Sequence, residues 1–301
     1  MVSIITPTHK KMTFWEITVL SVLCQSDENW EWIVLDNAKI PYFRIEFENL
    51  LLKYPEYLHL KEKVKIYECI FPEVNIGKYK NFCVSKTTCK DDEFVLLLDH
   101  DDILMKDCVK DIEITRKKIG NEIDYITSDC PIVTYFDNMI RTEQLYEKWI
   151  EPIECKDFSI KNYTFNLNNI KSAKRLDEID VKNHQMYIAE HPRIIKKSIL
   201  TTETCKFHEK CTYSEDTIQR IMLTLFHKGV YIPKQEIFCI HIRPDNDDIT
   251  YIDSGTWKQF NEKSDEIIEL YKHINILYKE YNWLFPNVDI IKIPHFDPDK
   301  E

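Results

Sequence analysis

Glycine is nearly missing from this chain: four occur in 301 residues, and none precedes Gly77. Loops that cradle phosphates on backbone amides need glycine, so the Rossmann G-x-G-x-x-G and Walker fingerprints are both absent. No apolar run reaches the roughly 18 residues of a membrane span. No long basic tract appears and the formal charge is −11, so nothing recommends a nucleic-acid backbone as partner. Ten cysteines include no C-x-x-C pair, and V-S-I-I-T opens the chain without a basic segment or a signal-like apolar stretch. These features predict reduced thiols and a cytoplasmic location. Cys205, His208 and Cys211 have the spacing of zinc ligands, but a fourth is not evident, and buried or idle thiols are the default. Internal repeats and low-complexity tracts are missing too.

What is present centres on Phe94–Asp102, F-V-L-L-L-D-H-D-D. A continuous apolar run meeting polar residues suits a strand buried on both faces of a parallel sheet. Ligands of such sheets sit beyond the carboxyl ends of the strands, which puts Asp99, His100, Asp101 and Asp102 at that rim. If the strand continues through them, Asp99 and Asp101 share a side, with α-carbons roughly 6.6 Å apart. Two like charges about 4 Å apart repel by roughly 4 kcal/mol at an effective dielectric near 20. Either one carboxyl stays protonated or a cation sits between them. Oxygen donors favour Mg²⁺ or Mn²⁺ completed by substrate phosphates. The plainer role is a helix N-cap by Asp102 for a turn starting near Ile103, which would use one carboxylate only. Asp245/Asp247 and Asp297/Asp299 repeat the spacing without an apolar strand before them.

Upstream, the pattern predicts a strand over Val2–Thr6 stopped by Pro7, a helix over Thr13–Gln25 capped by Thr13, and a strand over Trp32–Leu35 ending at Asp36. That is the βαβ rhythm of a parallel sheet. Asp36 occupies the same rim as Asp99; it suits either a contact to a base or ribose or an Asp turn. A helix over Phe43–Lys53 and a strand over Val64–Tyr67 follow. Asn75-Ile76-Gly77 opens a further helix on which Lys78 or Lys80 either reaches a diphosphate or lies on a solvated face. Beyond the Asp99 strand come a helix over Lys106–Ile119 and strands over Asp124–Ser128 and Ile132–Phe136, with a hairpin partner at Met139–Gln144.

Residues 149–190 are polar and weakly patterned, and read as a lid or acceptor-side insert. Tyr213-Ser214-Glu215-Asp216-Thr217 opens a helix running to Phe226. Ser214 is a natural N-cap there, and acidic residues suit the first turn. Val230–Ile232 and Glu236–Ile242 read as edge strands, with His241 and Arg243 two apart. A long helix over Thr256–Tyr281 packs on the main body, and a Pro-punctuated acidic tail follows. The expected organisation is one domain over 1–250, with 251–301 as a C-terminal helix and tail.

The succession V-S-I-I-T-P-T, S-V-L-C-Q-S-D-E-N-W-E-W-I-V-L-D-N, N-I-G, F-V-L-L-L-D-H-D-D and Y-S-E-D-T resembles the family 2 glycosyltransferases over roughly residues 1–245. The resemblance implies a GT-A fold: an α/β/α sandwich with a mostly parallel central sheet that binds a nucleotide-sugar at the strand C-termini. It implies that Thr6, Pro7 and Thr8 line the nucleotide pocket, that Asp36 contacts the base, and that Asp99 and Asp101 form the metal-binding Asp-x-Asp motif for Mn²⁺ or Mg²⁺. It makes Asp216 the general base of an inverting transfer from a nucleoside-diphosphate-sugar, a UDP-sugar first among them, to an acceptor hydroxyl. Lys80-Asn81 follows N-x-G sooner than the family's Arg-Asn pair, and His241-Ile242-Arg243 reverses its Arg-x-His. Lys80 is thus a diphosphate candidate, His241 and Arg243 are diphosphate or metal candidates, and His191 and Glu215 face the acceptor side. The Q-x-x-R-W motif of processive synthases is missing. Two other classes remain: a sugar nucleotidyltransferase, opposed by the absence of glycine in Thr6–Lys11, and a non-catalytic nucleotide-sugar or glycan-binding module.

Overall fold

A computed structural model describes residues 1–9, 15–100, 102–120, 123–128, 132–136, 139–142, 153–154, 174–175, 193–207, 209, 219, 223, 227–232 and 239–244. Along the chain these form β1 (Val2–Thr8), α1 (Trp15–Leu23), β2 (Trp30–Asp36), α2 (Phe43–Lys53), a 3-10 segment (Pro55–Lys63), β3 (Val64–Glu68), α3 (Ile76–Lys86), β4 (Phe94–Leu97) and β5 (Asp102–Leu104). Then come α4 (Cys108–Ile119), β6 (Tyr125–Ser128), β7 (Ile132–Phe136), β8 (Met139–Thr142), β9 (Ile153–Glu154), β10 (Lys174–Arg175), β11 (Arg193–Lys196), one helical turn at Lys197–Leu200, β12 (Gly229–Ile232) and β13 (Cys239–Pro244).

Eight strands make the main sheet in the order β10-β12-β6-β11-β4-β1-β2-β3. The block β4-β1-β2-β3 is parallel throughout. β11 runs antiparallel between β4 and β6. The central strands are apolar on both faces, and their alternation assigns each side chain to a layer. Val2, Ile4, Trp32, Val34, Leu96 and Leu98 pack with Val19, Val22, Phe43, Phe47 and Ile112 of α1, α2 and α4. Ile5, Ile33, Leu35, Val95 and Leu97 pack on the opposite face with Tyr79, Cys83 and Val84 of α3. This is a three-layer α/β/α sandwich with a mostly parallel sheet, as the sequence predicts. Each large aliphatic or aromatic side chain so buried contributes about 1.5–3 kcal/mol.

The chain steps outward from β1 to β2 to β3 with α1 and α2 on one face, then returns to the far side of β1 with α3 on the other. Right-handed crossovers require that change of face when the direction reverses. The reversal creates a switch point between β1 and β4, the place where open α/β sheets bind ligands.

A second sheet, β5-β13-β7-β8-β9, follows directly from the acidic stretch. Three expectations change here. β4 ends at Leu97; the Leu98 amide still donates to the Ile5 carbonyl at 3.0 Å, and then Asp102 N–H donates to Asp99 C=O at 3.1 Å, closing a turn. The strand therefore does not run straight through the acidic residues, and the same-side geometry derived for a continuous strand does not apply. Asp102 is the first residue of β5 rather than a helix cap, because β13 takes up that backbone in an antiparallel ladder with His241 opposite Asp102. The helix begins at Cys108, after Asp107. Finally, β12 and β13 are interior strands, paired on both sides, not edges. The Thr13 cap, the C-terminal helix and tail, and all of 149–190 except β9 and β10 lie outside the described residues.

Candidate functional site

The rim at the switch point is built from the ends of β1, β2 and β4 and the start of α3. In register, Thr8 lies beside Asp36, and Asp36 beside Glu68. Thr6, Pro7 and Thr8 are buried. Trp32 Nε1–H donates to Thr6 Oγ1 at 3.0 Å, and Thr8 Oγ1 lies 3.3 Å from Tyr42 Oη. Both hydroxyls thus fasten β1 to its neighbours, and the face that β1 offers a ligand is set by its backbone.

Asp36 is completely buried. Its Oδ1 accepts from the Ala38 amide at 3.1 Å, and its Oδ2 accepts from the amides of Tyr42 and Phe43 at 2.6 and 2.8 Å. Helix α2 has no side-chain cap on Tyr42, its own N-cap residue. Asp36 supplies the cap from the preceding strand, placing its negative charge against the helix N-terminus. The turn role is thus the one observed. Asn37 completes the loop: its amide donates to the Thr8 carbonyl at 2.8 Å, its side chain exchanges hydrogen bonds with the backbone of Phe71, and its Nδ2 lies 2.6 Å from Tyr79 Oη.

Lys80 overturns the solvated-face reading. It is 3% exposed, and its Nζ lies 3.8 Å from Asp99 Oδ1 and 5.3 Å from the centre of the Phe207 ring. The site thus carries its own cation against the first carboxylate of Asp-x-Asp. Asn75 starts the helix by accepting from Lys78 N–H at 2.8 Å, a cap worth about 1 kcal/mol. That cap fixes the phase of α3 and so the side on which Lys80 projects.

The same helix holds the segment leading towards Tyr213–Thr217. Asn81 Nδ2 donates to the Phe207 carbonyl at 2.8 Å and to Glu209 Oε1 at 2.9 Å, while its Oδ1 accepts from Phe207 N–H at 2.9 Å. Asn75 Nδ2 donates to the Glu209 carbonyl at 2.6 Å, and Gln219 Nε2 to that of Cys205 at 2.9 Å. Cys205 is buried, which pushes its thiol up to about 11. His208 and Cys211 lie outside the described residues.

Two histidines flank the acidic turn that the site reading had left without a role. His9 follows β1 directly, and its ring stands 6.2 Å from that of His100, edge to face. The His100 carbonyl accepts from Thr18 Oγ1 at 3.1 Å, tying the turn to α1. Their position just past a strand end was the signal available in the sequence. Asn37, Asn81 and Phe207 act through contacts distant in sequence and left no such signal.

Asp101, His191, Glu215 and Asp216 lie outside the described residues. For His241 and Arg243 the backbone alone is placed: β13 sets His241 against Asp102 in β5 and Ile132 in β7, and Arg243 against Thr134. His241 is thereby brought beside the acidic turn from 140 residues away in the chain. Among the described residues no three His, Cys, Asp or Glu side chains converge as a metal centre. The donor chemistry nonetheless fits a hard ion: Asp99 keeps 27% of its side chain open, and Mg²⁺ or Mn²⁺ takes one or two carboxylates with substrate phosphates supplying the rest.

No family model matches the chain. A curated relative, the DNA replication and repair protein RecF of Clostridium kluyveri, is 26% identical over 183 residues, covering 55% of this chain and 50% of that protein. Among solved structures, S. aureus TarS 1–349 in complex with UDP-GlcNAc is similar at TM-score 0.56 and 14% identity, over 83% of this chain and 60% of that one. A longer TarS structure matches at TM-score 0.53 and 15% identity, over 80% of this chain and 36% of that one. Mannosyltransferase PcManGT from Pyrobaculum calidifontis in complex with GDP-Man and Mn²⁺ has TM-score 0.46 and 10% identity, over 80% of this chain and 56% of that one. The chain thus spans about half of the curated relative and 36–60% of these structures. The fold is of the GT-A-like glycosyltransferase type. No helix among the described residues is long and apolar enough to cross a membrane.

Proposed function

We propose that the protein is a glycosyltransferase that moves a sugar from a nucleoside-diphosphate-sugar to an acceptor hydroxyl with inversion. The observation that carries this reading is the Asp99–Lys80 pair at the switch point between β1 and β4 of a GT-A-like sheet. An anion-binding cation and a metal-binding carboxylate meet there, at the rim where such sheets take their ligands. A fold neighbour was solved with UDP and with UDP-GlcNAc, which favours a UDP-sugar as donor.

In this reading the nucleoside lies over the ends of β1 and β2. The loop after Asp36 walls the base, and the buried Asp36 carboxylate keeps that wall in place. The diphosphate lies towards Lys80 and Asp99. A Mn²⁺ or Mg²⁺ ion held by Asp99 and Asp101 would neutralise charge developing on the leaving diphosphate. His241 and Arg243 arrive on β13 beside the acidic turn, where either suits the diphosphate or the metal. Asp216 accepts the acceptor's proton as its oxygen attacks the anomeric carbon from the face opposite the leaving group, through an oxocarbenium-like transition state. One base and a single displacement give inversion. Glu215 and His191 are assigned to the acceptor side. DNA replication and repair is not adopted, since a −11 chain without a basic tract has little to offer a phosphate backbone.

The test is a thermal-shift screen with UDP-, GDP- and dTDP-sugars, each with and without Mn²⁺, followed by nucleotide release from any sugar that binds. Asp216→Asn should abolish turnover and leave nucleotide binding intact; Asp101→Ala should erase the Mn²⁺-dependent part of the shift. Wild-type turnover in Asp216→Asn refutes the base. Consumption of a nucleoside triphosphate with pyrophosphate release points to a nucleotidyltransferase instead.

A further inference from the structure

A buried ammonium is costly unless something negative meets it. Lys80 is 3% exposed, yet its Nζ stands 3.8 Å from a carboxylate that is itself partly open to water. Its stem is fixed by α3, whose start is capped by Asn75, and the face of the Phe207 ring lies 5.3 Å away, a distance at which a cation is attracted to the ring. Phe207 is in turn held at both backbone groups by Asn81. The ammonium is thus built into the rim.

We propose that Lys80 is the resident counter-ion of the acidic turn: it neutralises Asp99 while the site is empty, and so makes a divalent cation enter together with a diphosphate rather than before it. A metal approaching Asp99 alone meets a positive charge that already occupies one side of the carboxylate, and two cations within a few ångströms repel strongly in a partly dry site. A diphosphate reverses the sign of the environment. It brings negative oxygens that Lys80 and the metal both satisfy, and the lysine changes from competitor to fellow ligand. The inference rests on the donor-site reading and adds an order of binding to it. By linkage, Mn²⁺ must tighten UDP by the factor with which UDP tightens Mn²⁺.

The experiment titrates the full chain with Mn²⁺, following the free ion by electron paramagnetic resonance, with and without saturating UDP. Wild-type protein should gain at least about tenfold in Mn²⁺ affinity when UDP is present, about 1.4 kcal/mol of coupling. Lys80→Met should bind Mn²⁺ alone about tenfold more tightly than wild type, and its gain from UDP should shrink. Lys80→Arg keeps the charge, so its Mn²⁺ affinity without UDP should show none of the roughly tenfold gain of Lys80→Met. Lys80→Met binding Mn²⁺ no more tightly than wild type, or wild type binding Mn²⁺ as tightly without UDP as with it, overturns the inference. Should the buried methionine unfold the protein, Lys80→Gln and the wild-type comparison decide the matter. Failure of UDP and GDP to bind wild type under any condition would strike the donor-site reading instead, while the Mn²⁺-only comparison still judges Lys80.

Discussion

Asp36→Ala removes the acceptor of three backbone amides, those of Ala38, Tyr42 and Phe43, from a position with no exposure to solvent. Each buried donor left without a partner costs about 1–3 kcal/mol. Helix α2 has no other side-chain cap on Tyr42 to compensate, and the loss of a cap alone is about 1 kcal/mol. Water entering the vacated space recovers part of the sum. The expected loss is about 3–5 kcal/mol, a large share of the 5–15 kcal/mol that holds a typical domain together. Asp36→Asn separates the contributions. Its oxygen can keep the Tyr42 and Phe43 amides while its NH₂ faces the Ala38 N–H, so about 1–2 kcal/mol should be lost. Urea unfolding is the assay, with the midpoint shifted and the slope unchanged if only the native loop is affected. A loss below about 0.5 kcal/mol for Asp36→Ala, the range of an ordinary surface substitution, would refute the capping role.

Asn81→Ala deletes three hydrogen bonds and leaves the N–H and C=O of buried Phe207 without their side-chain partner; a loss of about 2–3 kcal/mol in the same urea assay is expected, with Glu209→Ala costing far less because the Phe207 pairing survives. Glu31 gives a pH signature: burial pushes its carboxyl up, but hydrogen bonds from Lys65, Thr88 and Ser3 outweigh burial and hold it below the usual carboxylate range. A lowered native value contributes stability that is whole above the unfolded value near 4.3 and fades as pH falls through the native one. The stability gap between wild type and Glu31→Gln should therefore be widest near neutral pH and close under acid; a gap independent of pH would count against the assignment.

The central sheet was legible because both-face burial writes itself into Trp32–Leu35 and Phe94–Leu98 as unbroken apolar runs and into Val2–Thr6 as a short β-branched one. The Asn75 start of α3 was legible as well, since an N-cap is a local event. What escaped was set by partners outside the local pattern. Whether Asp102 caps a helix or begins a strand depends on β13, 137 positions or more downstream, and no local pattern records that. Asp36 looked identical as a base contact or as a turn residue until the amides of Tyr42 and Phe43 were located. For Lys80 the sequence left a diphosphate contact and a solvated face side by side, lysine being exposed almost everywhere, and only the packing of α3 against Asp99 and Phe207 shows it buried.

That exception bears on how, in the proposed reading, a chain of charge −11 would hold an anion. The sequence points first to a metal for positive charge, with Lys80, His241 and Arg243 as further diphosphate candidates. The fold supplies part of it from α3. Because the chain reverses direction after β3, α3 crosses on the face opposite α1 and α2 and begins close to the rim where β4 ends. A lysine one turn into that helix meets the carboxylate at the end of the next strand. The acidic turn is also bent: Asp99 closes a turn onto Asp102 instead of extending in line with it, and the following strand joins His241 in the second sheet. Asp99 at this rim thus meets an internal cation before any ligand arrives. In the proposed reading the ion serves the diphosphate, and removing Lys80 should therefore strengthen metal binding in the empty protein rather than weaken it.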